Sequence, residues 1–215
     1  DGTIVIATFD GIQLDTGDAV TDALVGLPAQ TAHRVPDGRI FFQRRSLDPP
    51  GIFVYFNSDT AVTLLTLPAD FTGQPVLHDA AVVNGEVVLL VQSAPDGPCS
   101  DPNTCIGSVW ALWPDRTADA AAKLDEMIVW EAGYTQLSLA ATGVVVGMKS
   151  AEVSLSPWSV AIPGATATPI DPVALGLEVD YIECSTCPAS LTIDSTGRFV
   201  GWIQPATTDP DRPNP

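Results

Sequence analysis

The sequence predicts an all-β fold of repeated four-stranded antiparallel units, a β-propeller, and three observations carry that prediction. A turn ending in Gly, then a polar or small residue and an apolar strand, occurs five times along the 215 residues. Short apolar strands punctuated by Asp-, Asn- and Gly-containing turns flank the copies. The repeated glycines are 36, 47, 58 and 54 residues apart, about 49 on average, which is the length that four strands and their turns require.

The copies are DGTIVIATF (1–9), DGRIFFQRR (37–45), NGEVVLLVQS (84–93), TGVVVGMKS (142–150) and TGRFVGWIQ (196–204). Upstream lie DAAVV (79–83), LSLAA (137–141) and SLTID (190–194), so each turn reads as a hairpin in which Gly supplies the positive φ. Downstream come the outer strands: GIQL (11–14) and AVTDALV (19–25) in the first unit, GIFVYFN (51–57) and AVTLLTLP (61–68) in the second. Strand periodicity predicts burial of Ile40 and Phe42, Val88 and Leu90, Val144 and Val146, and Val200 and Trp202 between units, and of their opposite-facing neighbours as well. The Ala-rich run RTADAAAKLDEM (116–127) has helix propensity and is expected to form an insertion with one or two helical turns. A β-sandwich would also produce many short strands, but it has no reason to repeat one hairpin at this period.

Residues 1–204 are therefore read as about four to five blades, either closing in a composite blade or forming a segment of a larger propeller. Residues 205–215, with four Pro in PATTDPDRPNP, are read as an extended tail or linker.

At VPDGRIFF (35–42) and LTIDSTGRFVGW (191–202) the chain resembles the strand-turn-strand hairpin of TolB-like and related WD-repeat-like propellers, and IQLDTGDAVTDAL (12–24) is similar to their outer hairpin. The resemblance spans most of residues 1–204 and implies a propeller fold. Propellers serve as binding platforms, protease gates and enzymes alike, so it implies no single function. The stretch 192–197 approaches the Asp box of sialidase propellers but has an extra residue before Gly197 and lacks the following Thr-Trp pair, so no sialidase chemistry is carried over.

Composition narrows the partners. The formal charge is −17, with 26 acidic against 9 basic residues, and no basic patch exists to neutralise phosphates. Nucleic acid is excluded as an expected partner. No apolar run approaches the roughly 20 residues of a membrane-spanning helix, and no signal-peptide pattern opens the chain, which is read as already trimmed. The four Cys form two close pairs in polar loops, Cys99 with Cys105 and Cys184 with Cys187. Two local disulfides are the simplest reading, and a four-thiolate zinc site or free thiols the alternatives. An oxidising setting follows: extracellular, periplasmic or cell-surface.

Chemistry-bearing residues are few. His33, Arg34, His78, Asp79, Gln136 and Glu183 all fall near the starts of expected first strands, where propeller topology gathers them at one mouth, on the face of the Cys-bearing loops. Such a rim offers directional hydrogen bonds in a concave setting. It also suits ordinary solvation. Two His and Asp79 would satisfy the minimum of a catalytic zinc site, though structural His are the blander reading. Among Trp110, Trp113, Trp130, Trp158 and Trp202, Trp158 is the one expected to be least constrained by a strand face and available for ligand stacking. Asp10, Asp15, Asp18 and Asp22, and Asp96 with Asp101, offer turn oxygens that suit calcium, but none fits the D-x-[DN]-x-[DN]-G loop. No cofactor is expected, with calcium the open alternative. No G-x-S-x-G nucleophile elbow occurs, so no catalytic residue is assigned.

These features together predict a secreted or cell-surface, non-catalytic binding or scaffold module for a protein or glycan, the alternative being the propeller part of an extracellular hydrolase acting on glycan or peptide. If the Cys pairs are bridged locally, intact-mass measurement will show a four-hydrogen deficit and no thiol open to alkylation. Alkylation of all four, or stoichiometric zinc, would refute the bridges.

Overall fold

The computed structural model describes residues 3–44, 51–56, 62–94, 106–116, 120–128, 134–151, 154–171, 189–194 and 198–203. Among them are sixteen strands in five antiparallel sheets and no helix. The first sheet holds β1 (Ile4–Ala7), β2 (Gly11–Asp15) and β3 (Val20–Val25), and the second β4 (Ala29–Arg34), β5 (Arg39–Arg44), β6 (Ile52–Phe56) and β7 (Val62–Leu64). The third holds β8 (Gln74–Val83), β9 (Glu86–Ala94), β10 (Ile106–Leu112) and β11 (Ala121–Ile128). β12 (Tyr134–Leu139), β13 (Val144–Ala151) and β14 (Ser154–Ala161) make the fourth, and β15 (Ala189–Ile193) and β16 (Phe199–Ile203) the fifth. Strand order within every sheet follows chain order, an up-and-down meander.

The chain divides into two compact units, Asp1–Pro98 with Ser108–Glu126, and Cys99–Gly107 with Met127–Pro215. The first unit contains the first two sheets and all of the third but the two residues at one end of each of β10 and β11; the second contains the fourth and fifth.

Among the described residues, Gly38, Gly85 and Gly143 mark the hairpins between first and second strands. At β8–β9, Val83 and Glu86 pair around Asn84 and Gly85, whose φ of 52° and 84° give the tight two-residue turn that Asn-Gly favours. Two other hairpins share a looser closure. The Val35 N–H donates to Arg39 O and the Gly38 N–H to Val35 O, and Ala140, Gly143 and Val144 repeat that pattern. In both, the last loop residue is a positive-φ Gly, at 96° in Gly38 and 83° in Gly143. The Asp194 N–H likewise donates to Arg198 O in the fifth sheet.

In the first unit, successive sheets pack face to face through these second strands. Ile40 and Phe42 of β5 join Ile12 and Leu14 of β2 and Phe53 and Tyr55 of β6 in one core, where the Phe42 and Phe53 rings stack at 5.6 Å. Phe41, on the opposite face of β5, joins Ile52, Leu77, Val87, Leu89, Val91, Trp110 and Leu112 in the next. Burial on both faces is as the sequence predicts for Ile40, Phe42, Val88, Leu90, Val144 and Val146 and for their neighbours Phe41, Leu89 and Val145. The side chains of Val200 and Trp202 lie outside the described residues.

A double ion pair ties the second sheet to the third. Arg39 Nη1 and Nη2 donate to Asp115 Oδ1 and Oδ2 at 2.5 and 2.6 Å, while Arg39 Nε is held by Asp37 Oδ2 at 2.8 Å. The fork on Asp115 holds the Arg39 guanidinium in its charged form more firmly than usual. The adjacent Arg116 lies over the Trp113 ring at 4.6 Å and forks onto Glu86 of its own sheet.

One element departs from expectation. The Ala-rich run is not helical at 121–127; it is most of β11, the fourth strand of the third sheet. Ala121 packs against the core between the second and third sheets, and Lys123 lies over the Trp110 ring at 5.2 Å. The ladder to β10 outweighs an intrinsic helix preference of only a few tenths of a kcal/mol per residue.

Gly11 is fixed by a close approach. Its φ is 145°, and an added Cβ would lie 1.8 Å from the Leu24 carbonyl oxygen across the β2–β3 ladder. Gly11→Ala is expected to destabilise the protein by about 1–3 kcal/mol, read as a lower urea midpoint. An unchanged midpoint would show that β2 and β3 do not meet this closely.

Candidate functional site

The first strands of the second and third sheets bring the two histidines together within the first unit. His33, on β4, places Nδ1 3.5 Å from Asp79 Oδ1 on β8, and both side chains are about a quarter exposed, at 27% and 26%. Beside them His78 Nε2 is 2.8 Å from Gln92 Oε1 of β9. The pair couples through charge as well: His33 lowers the proton affinity of His78, and Asp79 raises it in both.

A β-bulge positions this group. The β8–β9 register advances from Leu77↔Val91 to Asp79↔Leu90, so His78 is the extra residue. β8 is the edge strand of its sheet, and beside the bulge the outward Leu77 N–H donates to Gln43 Oε1 of the neighbouring β5 at 3.1 Å. A bulge recurs in two other first strands. On β4 it lies between Ala29 and Thr31, and on β12 between Thr135 and Ser138, where it includes Gln136. His78 and Gln136 each precede their hairpin glycine by seven residues.

Deeper in the third sheet the polar groups are mutually satisfied. Ser93 Oγ and Ser108 Oγ are 2.7 Å apart, the Ser108 N–H donates to Ser93 Oγ at 3.1 Å, and Trp110 Nε1 donates to Ser108 Oγ at 2.7 Å. Gln43, Gln92, Ser93 and Ser108 are the buried polar side chains among the described residues, and sequence reasoning missed all four. A signal was present: towards their ends the second strands carry polar residues, Gln43, Gln92 and Lys149, where apolar ones would continue the core.

The expected residues gather only in part. His33, His78 and Asp79 come together, but within their strands rather than at the strand starts: His33 is the fifth of six residues, and His78 and Asp79 the fifth and sixth of ten. Arg34 ends β4 opposite Ile40. Gln136 lies in the second unit, and Glu183, Cys99, Cys105, Cys184 and Cys187 lie outside the described residues. Trp158 is constrained by a strand after all. It pairs with Gly147 across β13–β14 and is half-buried, an aromatic ring opposite a residue with no side chain. Among the described residues no three His, Cys, Asp or Glu converge as metal ligands. Asp22 instead accepts from Gln13 Nε2 at 3.0 Å, and Asp15 Oδ1 from the Gly17 N–H at 2.8 Å.

Sequence reasoning also missed a cavity of about 420 Å³ between the outer strands of the second and third sheets. Its lining includes Phe41, Val54, Leu65 and Trp113, with Arg39 and Arg116, both ion-paired, among its polar groups.

Neither a family model nor a curated protein matches the chain. Solved structures do. TolB from Acinetobacter baumannii superposes with a TM-score of 0.57 at 12% identity over 96% of this chain and 47% of its own. A gluconolactonase from Xanthomonas campestris gives 0.54 at 16% identity over 95% and 72%. Regucalcin from Agrobacterium tumefaciens, described as a calcium-binding protein, gives 0.52 at 11% over 91% and 60%. At these identities the likeness shows the fold, a TolB-like β-propeller. The chain spans about half the length of TolB and three-fifths that of regucalcin.

Burial holds both imidazoles below the ordinary histidine range, with Asp79, and for His78 also Gln92, acting in the opposite sense. A depressed histidine pKa means the unfolded chain binds protons first as pH falls. Stability is therefore expected to decline as pH falls through the unfolded histidine value near 6.5 and to level off once the folded groups are protonated. Urea midpoints between pH 8 and pH 5 check this against His78→Gln, whose profile should be flatter. Parallel profiles would refute the assignment.

Proposed function

We propose that this TolB-like β-propeller chain is a non-catalytic binding module, secreted or displayed at the cell surface, that takes a protein or glycan partner at the His33–Asp79–His78 cluster. The observation that carries the reading is the cluster itself: two imidazoles and a carboxylate held between adjacent sheets by a bulge and a buried amide. With His33 Nδ1 at Asp79, its Nε2 is the nitrogen left for a ligand. Preordered polar groups of this kind reduce the ordering cost of binding. The two close Cys pairs support an oxidising location, and no helix among the described residues is long and apolar enough to cross a membrane.

One observation favours a second reading, a hydrolase acting on glycan or peptide: an imidazole backed by a carboxylate is the arrangement of a general base. The gluconolactonase neighbour is an enzyme on a similar fold, which makes a catalytic reading worth testing.

A screen of glycans and peptides against the wild type and a His78→Ala, Asp79→Ala double variant separates these readings. Binding should weaken roughly tenfold or more, about 1.4 kcal/mol, with the circular dichroism spectrum unchanged. Affinity that survives the double change in a folded protein would remove the cluster from the site. Cleavage of a screened compound by the wild type would replace the binding reading with the hydrolase one.

A further inference from the structure

The outer strands of the second and third sheets border a space that the His33–Asp79–His78 cluster, on the first strands, does not use. β7 has three residues where β3 has six and β11 eight, so the second sheet ends short on its outer flank. Beside it lies the cavity of about 420 Å³, a size within the roughly 300–1,000 Å³ of small-molecule sites. Every residue of its lining belongs to the first unit.

The walls combine apolar surface with hydrogen-bond donors. Phe41, Val54 and Leu65 are part of the core between the two sheets or pack against it. Charge enters through Arg39 and Arg116 alone: among the described residues no Asp or Glu lines the cavity, although the chain carries a formal charge of −17. Arg39 is taken up by Asp37 and Asp115. Arg116 keeps a donor in reserve. Its Nε and Nη2 fork onto Glu86, and its Nη1 meets no acceptor among the described residues. The same guanidinium lies over the Trp113 ring at 4.6 Å. Trp113 is only 7% exposed, yet its Nε1 donates to no described residue. A buried indole N–H ordinarily has an acceptor. Two stacked side chains of one wall thus hold donors that the described protein does not satisfy.

We propose that this cavity binds a small organic monoanion with a flat apolar body, an aryl carboxylate, whose ring packs on Phe41, Val54 and Leu65 and whose carboxylate accepts from Arg116 Nη1 and Trp113 Nε1. The apolar body matches the walls, and an acceptor-only head matches donors that lack acceptors. Asp115 and Glu86, paired with the two guanidiniums, oppose a second negative charge, which sets a carboxylate ahead of a phosphate. Both guanidiniums are held in place by those ion pairs, which lowers the cost of ordering them around a ligand.

Calorimetric titration of the chain with naphthoate, and with naphthamide as its uncharged counterpart, tests this. Naphthoate is expected to bind saturably, and naphthamide roughly tenfold more weakly or worse. Arg116→Gln should lower naphthoate affinity roughly tenfold and leave naphthamide little changed. Thr63 pairs with Val54 across β6–β7 and shares its face of the sheet, so Thr63→Trp should fill the cavity and abolish binding of both. Thr63 and Arg116 are exposed, so either substitution is expected to keep the fold, read as an unchanged circular dichroism spectrum. No saturable naphthoate binding by the wild type, equal affinity for the amide, or naphthoate affinity that survives either substitution in a folded chain would each overturn the proposal.

Discussion

A second strand whose successive side chains are nearly all apolar has to be covered on both faces, and the described structure depends on that constraint. In β5, Ile40 and Phe42 point one way and Phe41 the other, and all three are buried. Each contributes about 1.5–3 kcal/mol when removed from water, so leaving either face bare would cost several kcal/mol. A single meander cannot satisfy such a strand. It needs a sheet in front and a sheet behind, and face-to-face repetition of sheets follows from side-chain chemistry before any long-range signal is considered.

The polar cluster is the exception this packing tolerates. A buried polar group costs about 1–3 kcal/mol when it lacks a partner, and partners between two sheets are scarce. The described structure meets this with pairings across and within sheets: Gln43 with the Leu77 N–H, His78 with Gln92, Ser93 with Ser108 and Trp110. His33 and Asp79 differ in remaining partly open to solvent. Chemistry is therefore available where the core is interrupted, beside buried polar groups that already have partners.

Much of the fold was legible because its signals are local. Asn84-Gly85 and Gly38 announce hairpins by backbone preference alone, and the apolar runs after them can only be doubly covered strands. The run at 116–127 misled because alanine propensity is also local, while the β10 ladder that decides its state is not. The site was legible by half. His33 and Asp79 share the first strands of consecutive sheets, so topology alone brings them near, but the bulge at His78 and the glutamines that meet it depend on which side chain of the next sheet arrives opposite. Trp158 was misread for a related reason: Pro157 beside it suggested a loop, whereas a third strand accommodates proline wherever its N–H has no ladder partner to lose.

The hydrogen bond from Leu77 to Gln43 also bears on how a chain of near-identical sheets assembles in the right order. Alternating apolar faces are interchangeable, and a sheet of this kind would pack passably against any of its siblings. Gln43 is not interchangeable. Its side chain is buried, and it finds its donor in the outward Leu77 N–H on the edge strand of the adjoining sheet. A shuffled arrangement would bury that amide against aliphatic carbon and forfeit about 1–3 kcal/mol, comparable to deleting a core methyl group or two. The amide and the edge-strand N–H thus act as a key and its ward between the second and third sheets, and the polar residue that interrupts the apolar repeat is what makes it directional.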